Sequence, residues 1–151
     1  MRPRGDRAAA ATPPSPAADL ALLQGIIGKS EPGLTAHAAA FVSDVGKLEA
    51  SRKANRRPVL AQLEAIEHTL KNEARQLDRA KLTTAEGRNA RKLAVETLET
   101  TAGGVAALRS SFATASAGAA RRHADRSRKL IDRGSALEAR ASQALGFTWQ
   151  L

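Results

Sequence analysis

Apolar side chains recur at alternating steps of three and four along most of the chain. From Leu34 the steps pass through Ala38, Phe41, Val45 and Leu48, a heptad seam of the kind a helix buries along one stripe. From Leu63 the same stepping passes through Ile66, Leu70, Glu73, Leu77, Ala80, Thr84, Gly87, Arg91, Ala94, Leu98, Thr101, Val105, Leu108, Phe112 and Ala115 to Ala119, and twelve of these seventeen positions are apolar. A period of 3.5 held this long in one register marks helices wound around each other. A continuous helix over 63–119 would span roughly 85 Å at 1.5 Å per residue. The seam weakens at Thr84, Gly87 and Arg91, and again at Gly103-Gly104. A fold-back near Gly87 or Gly103-Gly104 therefore stands open beside the continuous rod. After Ala119 the register slips by about four residues, the size of a stutter, and resumes through Leu130, Gly134, Leu137, Ala141 and Leu145.

Helix breakers divide this pattern into elements. Residues 1–15 mix Arg, Ala and Pro without an apolar period and predict a disordered tail. Ser15-Pro16 predicts a helix start, with a hydroxyl at the N-cap and proline at the first helical position. Leu20, Leu22, Leu23, Ile26 and Ile27 then predict a short apolar helix over 16–29 that stops near Gly28, with Ser30-Glu31-Pro32-Gly33 as a break and restart. A first coiled-coil segment follows over 34–57, interrupted near Asn55 ahead of Pro58. The main coiled coil covers 58–120, and a basic helix over 121–145 continues the rod. At 146–151, Phe147, Trp149 and Leu151 alternate with polar residues, a strand-like pattern. The expected fold is all-α: an elongated coiled-coil rod with a short N-terminal apolar helix and a disordered N-terminal tail.

Composition supports the helical class. Alanine fills 33 of 151 positions, while Leu, Ile, Val and Phe together fill 29. Three Phe, one Trp and no Tyr are too few large side chains for a sandwich or barrel core. The dominant residues are helix formers. The absence of cysteine excludes disulfides, thiolate metal sites and cysteine nucleophiles. No apolar run approaches the roughly 20 residues that span a bilayer, and the cluster Thr12-Pro13-Pro14-Ser15-Pro16 speaks against a secretory leader. An intracellular setting without a membrane partner is expected. The net charge of +9 points to an acidic surface among the partners.

Chemical motifs are sparse. Gly28-Lys29-Ser30 imitates the end of a phosphate-binding loop, but Leu23 stands where the loop needs its first glycine. Gly25-Ile26-Ile27-Gly28 imitates an RNA-binding loop without the strands that module requires. His37, His68 and His123 are far apart and lack partners at metal-ligand spacing. Acidic residues sit among Lys and Arg at helical spacings, as in Glu67 with Lys71, the pattern of a salt-bridged surface. No catalytic residue, cofactor, metal or small-molecule substrate is expected. The basic residues Arg121, Arg122, Arg126, Arg128 and Lys129 form a candidate patch for an acidic protein or for nucleic acid, although no aromatic groups are interleaved for base stacking.

The order of parts resembles a known family. Leu22-Leu23-Gln24-Gly25-Ile26-Ile27-Gly28 precedes a long helical pattern, and Leu137 is followed eight residues on by Leu145-Gly146-Phe147. This layout is similar to the smaller centromere-proximal subunits of the four-chain kinetochore complex that couples chromosomes to microtubules. The resemblance implies a rod paired with a sister subunit, a nuclear and kinetochore location, and a terminal α/β domain that would begin where this sequence stops. Phe41-Val42 with Gly46, then Lys81-Leu82 and Arg88-Asn89, resembles a small coiled-coil subunit of the ciliary transport train, which implies a cytoplasmic or ciliary setting.

The function expected from these features is that of a non-enzymatic subunit that forms a hetero-oligomer with a partner helix. The expected partner-helix seam is Leu63, Ile66, Leu70, Leu77, Ala80, Ala94, Leu98, Val105, Leu108 and Phe112. Its polar interruptions, Glu73 among them, would select register and partner at a cost in stability. The tail residues Leu145, Phe147, Trp149 and Leu151 are a candidate docking element that would add a strand to a partner's sheet. The rival expectation is a basic rod that binds nucleic acid or chromatin.

Overall fold

A computed structural model describes residues 13–51, 55–149 and 151. These residues form four helices, α1 (Pro16–Ala50), α2 (Arg57–Asp78), α3 (Ala85–Ala113) and α4 (Ala117–Leu145), with no strand among them. The chain is all-α. The expected disordered tail lies, except for residues 13–15, outside the described residues.

Hydroxyl caps set three of the helix starts. Ser15 accepts from the Ala18 N–H at 3.4 Å with Pro16 in the first turn, Thr84 accepts from Gly87 at 3.0 Å, and Ser116 accepts from Ala119 at 3.3 Å. Each hydroxyl satisfies one of the orphan donors of a helix N-terminus. Helix α4 ends on Gly146 at φ 74°, a left-handed cap that favours glycine. The Leu145-Gly146 step thus has a local role in ending α4.

Helix α1 runs unbroken through Ser30-Glu31-Pro32-Gly33, where a break was expected. Pro32 removes one helical hydrogen bond and crowds the Gly28 carbonyl, at a usual cost of about 3 kcal/mol. Gly28 and Pro32 both face solvent, so water can serve that carbonyl. Leu23 and Ile27 on one side of the proline, and Phe41, Val45 and Leu48 on the other, pack into the same core. Burial of both halves holds the helix straight through a residue that local propensity reads as a stop.

The long seam is cut twice, at 79–84 and at 114–116, and the helices fold back on one another. Of the two points where a fold-back stood open beside a continuous rod, the first turn falls just before Gly87, while Gly103-Gly104 lies inside α3. Side-chain links cross each antiparallel pair. His37 Nδ1 lies 2.8 Å from Gln62 Oε1 between α1 and α2, Arg109 reaches Glu67 at 2.8 Å between α2 and α3, and Arg133 reaches Glu96 at 3.3 Å between α3 and α4. The first turn is built around Asp19 of α1. Its carboxylate accepts from the Thr83 and Thr84 N–H groups at 2.8–3.1 Å and from both threonine hydroxyls. The Thr84 hydroxyl, foremost among these, holds the Asp19 carboxyl below its ordinary pKa. A side chain at Gly87 would collide with that carboxylate.

Helix α3 touches all three other helices, whereas α2 and α4 do not meet among the described residues. The α3–α4 contact is the closest-packed. A Cβ at Gly104 would lie 2.8 Å from Ile131 Cγ1, and one at Gly134 would lie 2.5 Å from Thr101 Oγ1. Ala94 and Ala102 of α3 and Ala141 of α4 are buried as well. Small residues at these positions let the helix backbones approach. By contrast, α1 meets α4 only sparsely, and Gln24 Nε2 donates to the Leu145 carbonyl at 2.8 Å to tie the two together.

Candidate functional site

Where α1 and α4 part, an apolar groove of about 630 Å³ opens over α2 and α3. Helix α1 contributes Ile27, Leu34, Ala38 and Val42; α2 contributes Ile66 and Leu70; α3 contributes Val105; α4 contributes Ile131. Trp149 and Leu151 of the C-terminal segment complete it. The α1 residues recur at helical spacing from 27 to 42, which is four turns or about 22 Å. Three of the four large apolar side chains most open to solvent border this one feature: Val42 at 68%, Leu151 at 43% and Ile131 at 37%. Exposed apolar side chains gathered in one groove mark a binding surface more than scattered ones do.

Glu73 is the unusual member of the lining. It is 2% exposed, and its Oε1 has no hydrogen-bond partner. Its other oxygen meets the Ser30 hydroxyl, which also donates to the Ile27 carbonyl at 3.1 Å. One hydroxyl proton serves one acceptor at a time, and a protonated Glu73 resolves the conflict by donating to the Ser30 oxygen. Burial pushes the Glu73 carboxyl up to about 7, and the Glu31 charge adds to that push against the Ser30 hydrogen bond. Glu67, two turns earlier on α2, has the opposite fate. Burial pulls it upward, but Lys71 at 2.5 Å and Arg109 at 2.8 Å outweigh burial and hold it below its ordinary pKa.

The other residues singled out in the sequence are scattered across the fold. Of the expected partner seam, Leu63, Leu70, Leu77, Ala94, Leu98 and Val105 are buried in the chain's own core, and Ile66, Ala80, Leu108 and Phe112 pack against it. The helix that covers this seam comes from the same chain, because the two turns bring successive stretches of one stripe face to face. Ile66, Leu70 and Val105 alone also reach the groove. The C-terminal residues do not form a strand. Leu145 and Trp149 are buried, the Trp149 N–H donates to Ser142 Oγ at 3.0 Å, and the Leu151 N–H donates to Glu138 at 3.1 Å. Phe147 is half-buried against the core. The segment folds back on α4 because scarce aromatics gain more from burial than from solvent.

Arg121, Arg122, Arg126, Arg128 and Lys129 are all exposed on α4, on an arc turned away from buried Ser127 and Gly134. The patch supplies charge without an aromatic group. Gly28 lies exposed within α1, so neither loop motif that includes it forms a loop. Among the described residues no cluster of His, Asp and Glu could hold a metal ion, and no helix is long and apolar enough to cross a membrane.

Glu73 stands on the seam, where it was expected as a polar interruption that selects register and partner; its enclosure beside an apolar groove was not expected. The signal was a carboxylate at a heptad position with no basic residue three or four places away; its neighbours at those distances are Leu70, Thr69, Gln76 and Leu77. Comparison with protein-family models, curated proteins and solved structures finds no match for this chain.

Proposed function

We propose that this protein is a non-enzymatic helical interaction subunit whose α1–α4 groove seats an apolar helix of a partner protein. The carrying observation is the groove itself, bordered by Val42, Ile131 and Leu151, three of the most exposed large apolar side chains among the described residues. Amphipathic helices bind such grooves by laying one apolar stripe along them, with anchors at steps of three and four. The four-turn length of the α1 wall suits a segment of that kind. This reading keeps the expectation of a hetero-oligomer but moves the contact surface from the Leu63–Phe112 seam to the groove. Membership of the kinetochore complex or of the ciliary transport train would specify the partner, and its support is the sequence layout.

The test uses the full chain and a synthetic 18-residue Leu/Ala amphipathic peptide, followed by Trp149 fluorescence. Because Trp149 lines the groove and is the chain's only tryptophan, a saturable spectral change is expected, with binding lost in the double variant Val42→Glu, Ile131→Glu. Val42 is the more open position, whereas Ile131 packs on Gly104 of α3, so circular dichroism of the variant must first match wild type, and the single variant Val42→Glu serves where it does not. Absence of any saturable change, or equal binding by the variant, would overturn the reading.

A further inference from the structure

We infer that the helix seated in this groove presents a lysine or arginine side chain to Glu73. This inference rests on the groove reading and names the chemistry of its occupant. The chain carries 24 Lys and Arg against 15 Asp and Glu, yet among the described residues the only charged ones lining the groove are Glu31 and Glu73. A predominantly basic molecule has thus placed an exclusively acidic pair in its most apolar recess.

Glu73 Oε1 is enclosed and has no donor within the chain. Buried polar atoms of that kind are uncommon in native structures, because the desolvation cost is not offset by a hydrogen bond. A purely apolar occupant would seal the atom further from water and leave it unpaired. An acidic occupant would add like charge beside Glu31 and Glu73. A basic side chain supplies both the missing donor and the opposite charge, and charge-assisted hydrogen bonds are the stronger class. Lysine and arginine also have aliphatic stems that can lie along apolar walls such as Leu70 and Val105 while the charged end reaches inward. The neighbouring Ser30 and Glu31 put this contact at the α1 turn just after Ile27, so the basic residue belongs near one end of the docked helix.

The experiment compares three versions of the Leu/Ala peptide that carry lysine, norleucine or glutamate at one position toward an end of the apolar face. Trp149 emission is read against wild type, Glu73→Gln and Glu31→Gln. The lysine peptide should bind wild type about tenfold more tightly than the norleucine peptide, a margin typical of one charge-assisted hydrogen bond. The glutamate peptide should bind most weakly. Glu73→Gln should abolish the lysine preference while leaving norleucine binding intact, and Glu31→Gln should keep most of it. If lysine and norleucine peptides bind wild type equally, or if Glu73→Gln keeps the preference, the inference fails while the groove reading stands. If no version binds, the groove reading itself fails. Sedimentation of the chain alone provides the remaining arm: self-association that shifts Trp149 and that Val42→Glu abolishes would assign the groove to a second copy and overturn both.

Discussion

Two glutamates on α2, six residues apart, are both almost removed from solvent and have opposite electrostatic surroundings. Glu67 faces α3, where Arg109 crosses the interface and Lys71 lies one turn along its own helix. Glu73 faces the gap between α1 and α4, where its neighbours are Ser30, Glu31 and apolar walls. The first carboxyl is held charged and the second is held toward its neutral form. Burial acts in the same direction on both; the cations decide the sign at Glu67 and are missing at Glu73. At the α2–α3 interface the Glu67 carboxylate finds its cations within the chain, whereas beside the groove Glu73 Oε1 has no donor among the described residues.

The comparison can be broken most severely by placing a carboxylate in a closed interface. Leu98 is fully buried in α3 with no groove beside it. Leu98→Asp should cost several kcal/mol and abolish cooperative thermal unfolding monitored by circular dichroism. Retention of a wild-type melting curve would mean that α3 is not packed as described. Glu99→Ala, one residue away and exposed, should change stability by less than about 0.5 kcal/mol.

Stability against pH is the next largest effect. Glu73 in the folded chain binds its proton up to about pH 7, while its ordinary value is 4.5. Between these limits the folded state holds more protons than the unfolded state. Its contribution therefore falls as pH rises from 4.5 through 7, by an order-of-magnitude total of about 3 kcal/mol. Urea melts of Glu73→Gln should lose most of that decline, the remainder belonging to Glu138, whose carboxyl burial also raises. A decline that persists undiminished in the variant would assign it to another group.

The smaller effect sharpens the other side of the comparison. Glu67 and Asp19 are both held below their ordinary values, so what they contribute is present above those values and is lost as pH falls through the lowered folded ones. Glu67→Gln should destabilise the fold at pH 7 by about 1–2 kcal/mol, since Lys71 and Arg109 are partly solvent-screened. It should also weaken the acid-side loss seen in urea melts. An unchanged midpoint at pH 7 would show that the pair adds nothing to stability.

Much of the helical content was legible in the sequence, and the arrangement of the helices was not. Ser15-Pro16 and the apolar periods marked a real helix start and real buried stripes, because caps and periodicity are local. The heptad count could not reveal that one stripe folds onto itself. The turn at 79–84 depends on Asp19, more than sixty residues away, whose carboxylate gathers Thr83 and Thr84. Thr84 and Gly87 were visible as weak seam positions, but their partner was not. Pro32 misled for the matching reason: long-range burial outweighed a strong local break. The groove left no sequence signature because it is the space between two helices that fail to close. Only Glu73, a carboxylate on an apolar stripe, hinted at it.

The most direct measurement is a carbon-13 NMR titration of the side-chain carboxyls in the full chain, with Glu73 and Glu67 assigned through their Gln variants. A buried Glu73 with one oxygen lacking a donor predicts a midpoint near 7 for that residue and a midpoint below the ordinary range for Glu67. A Glu73 that titrates together with the exposed glutamates would contradict the buried, uncompensated carboxyl on which the groove's chemistry rests.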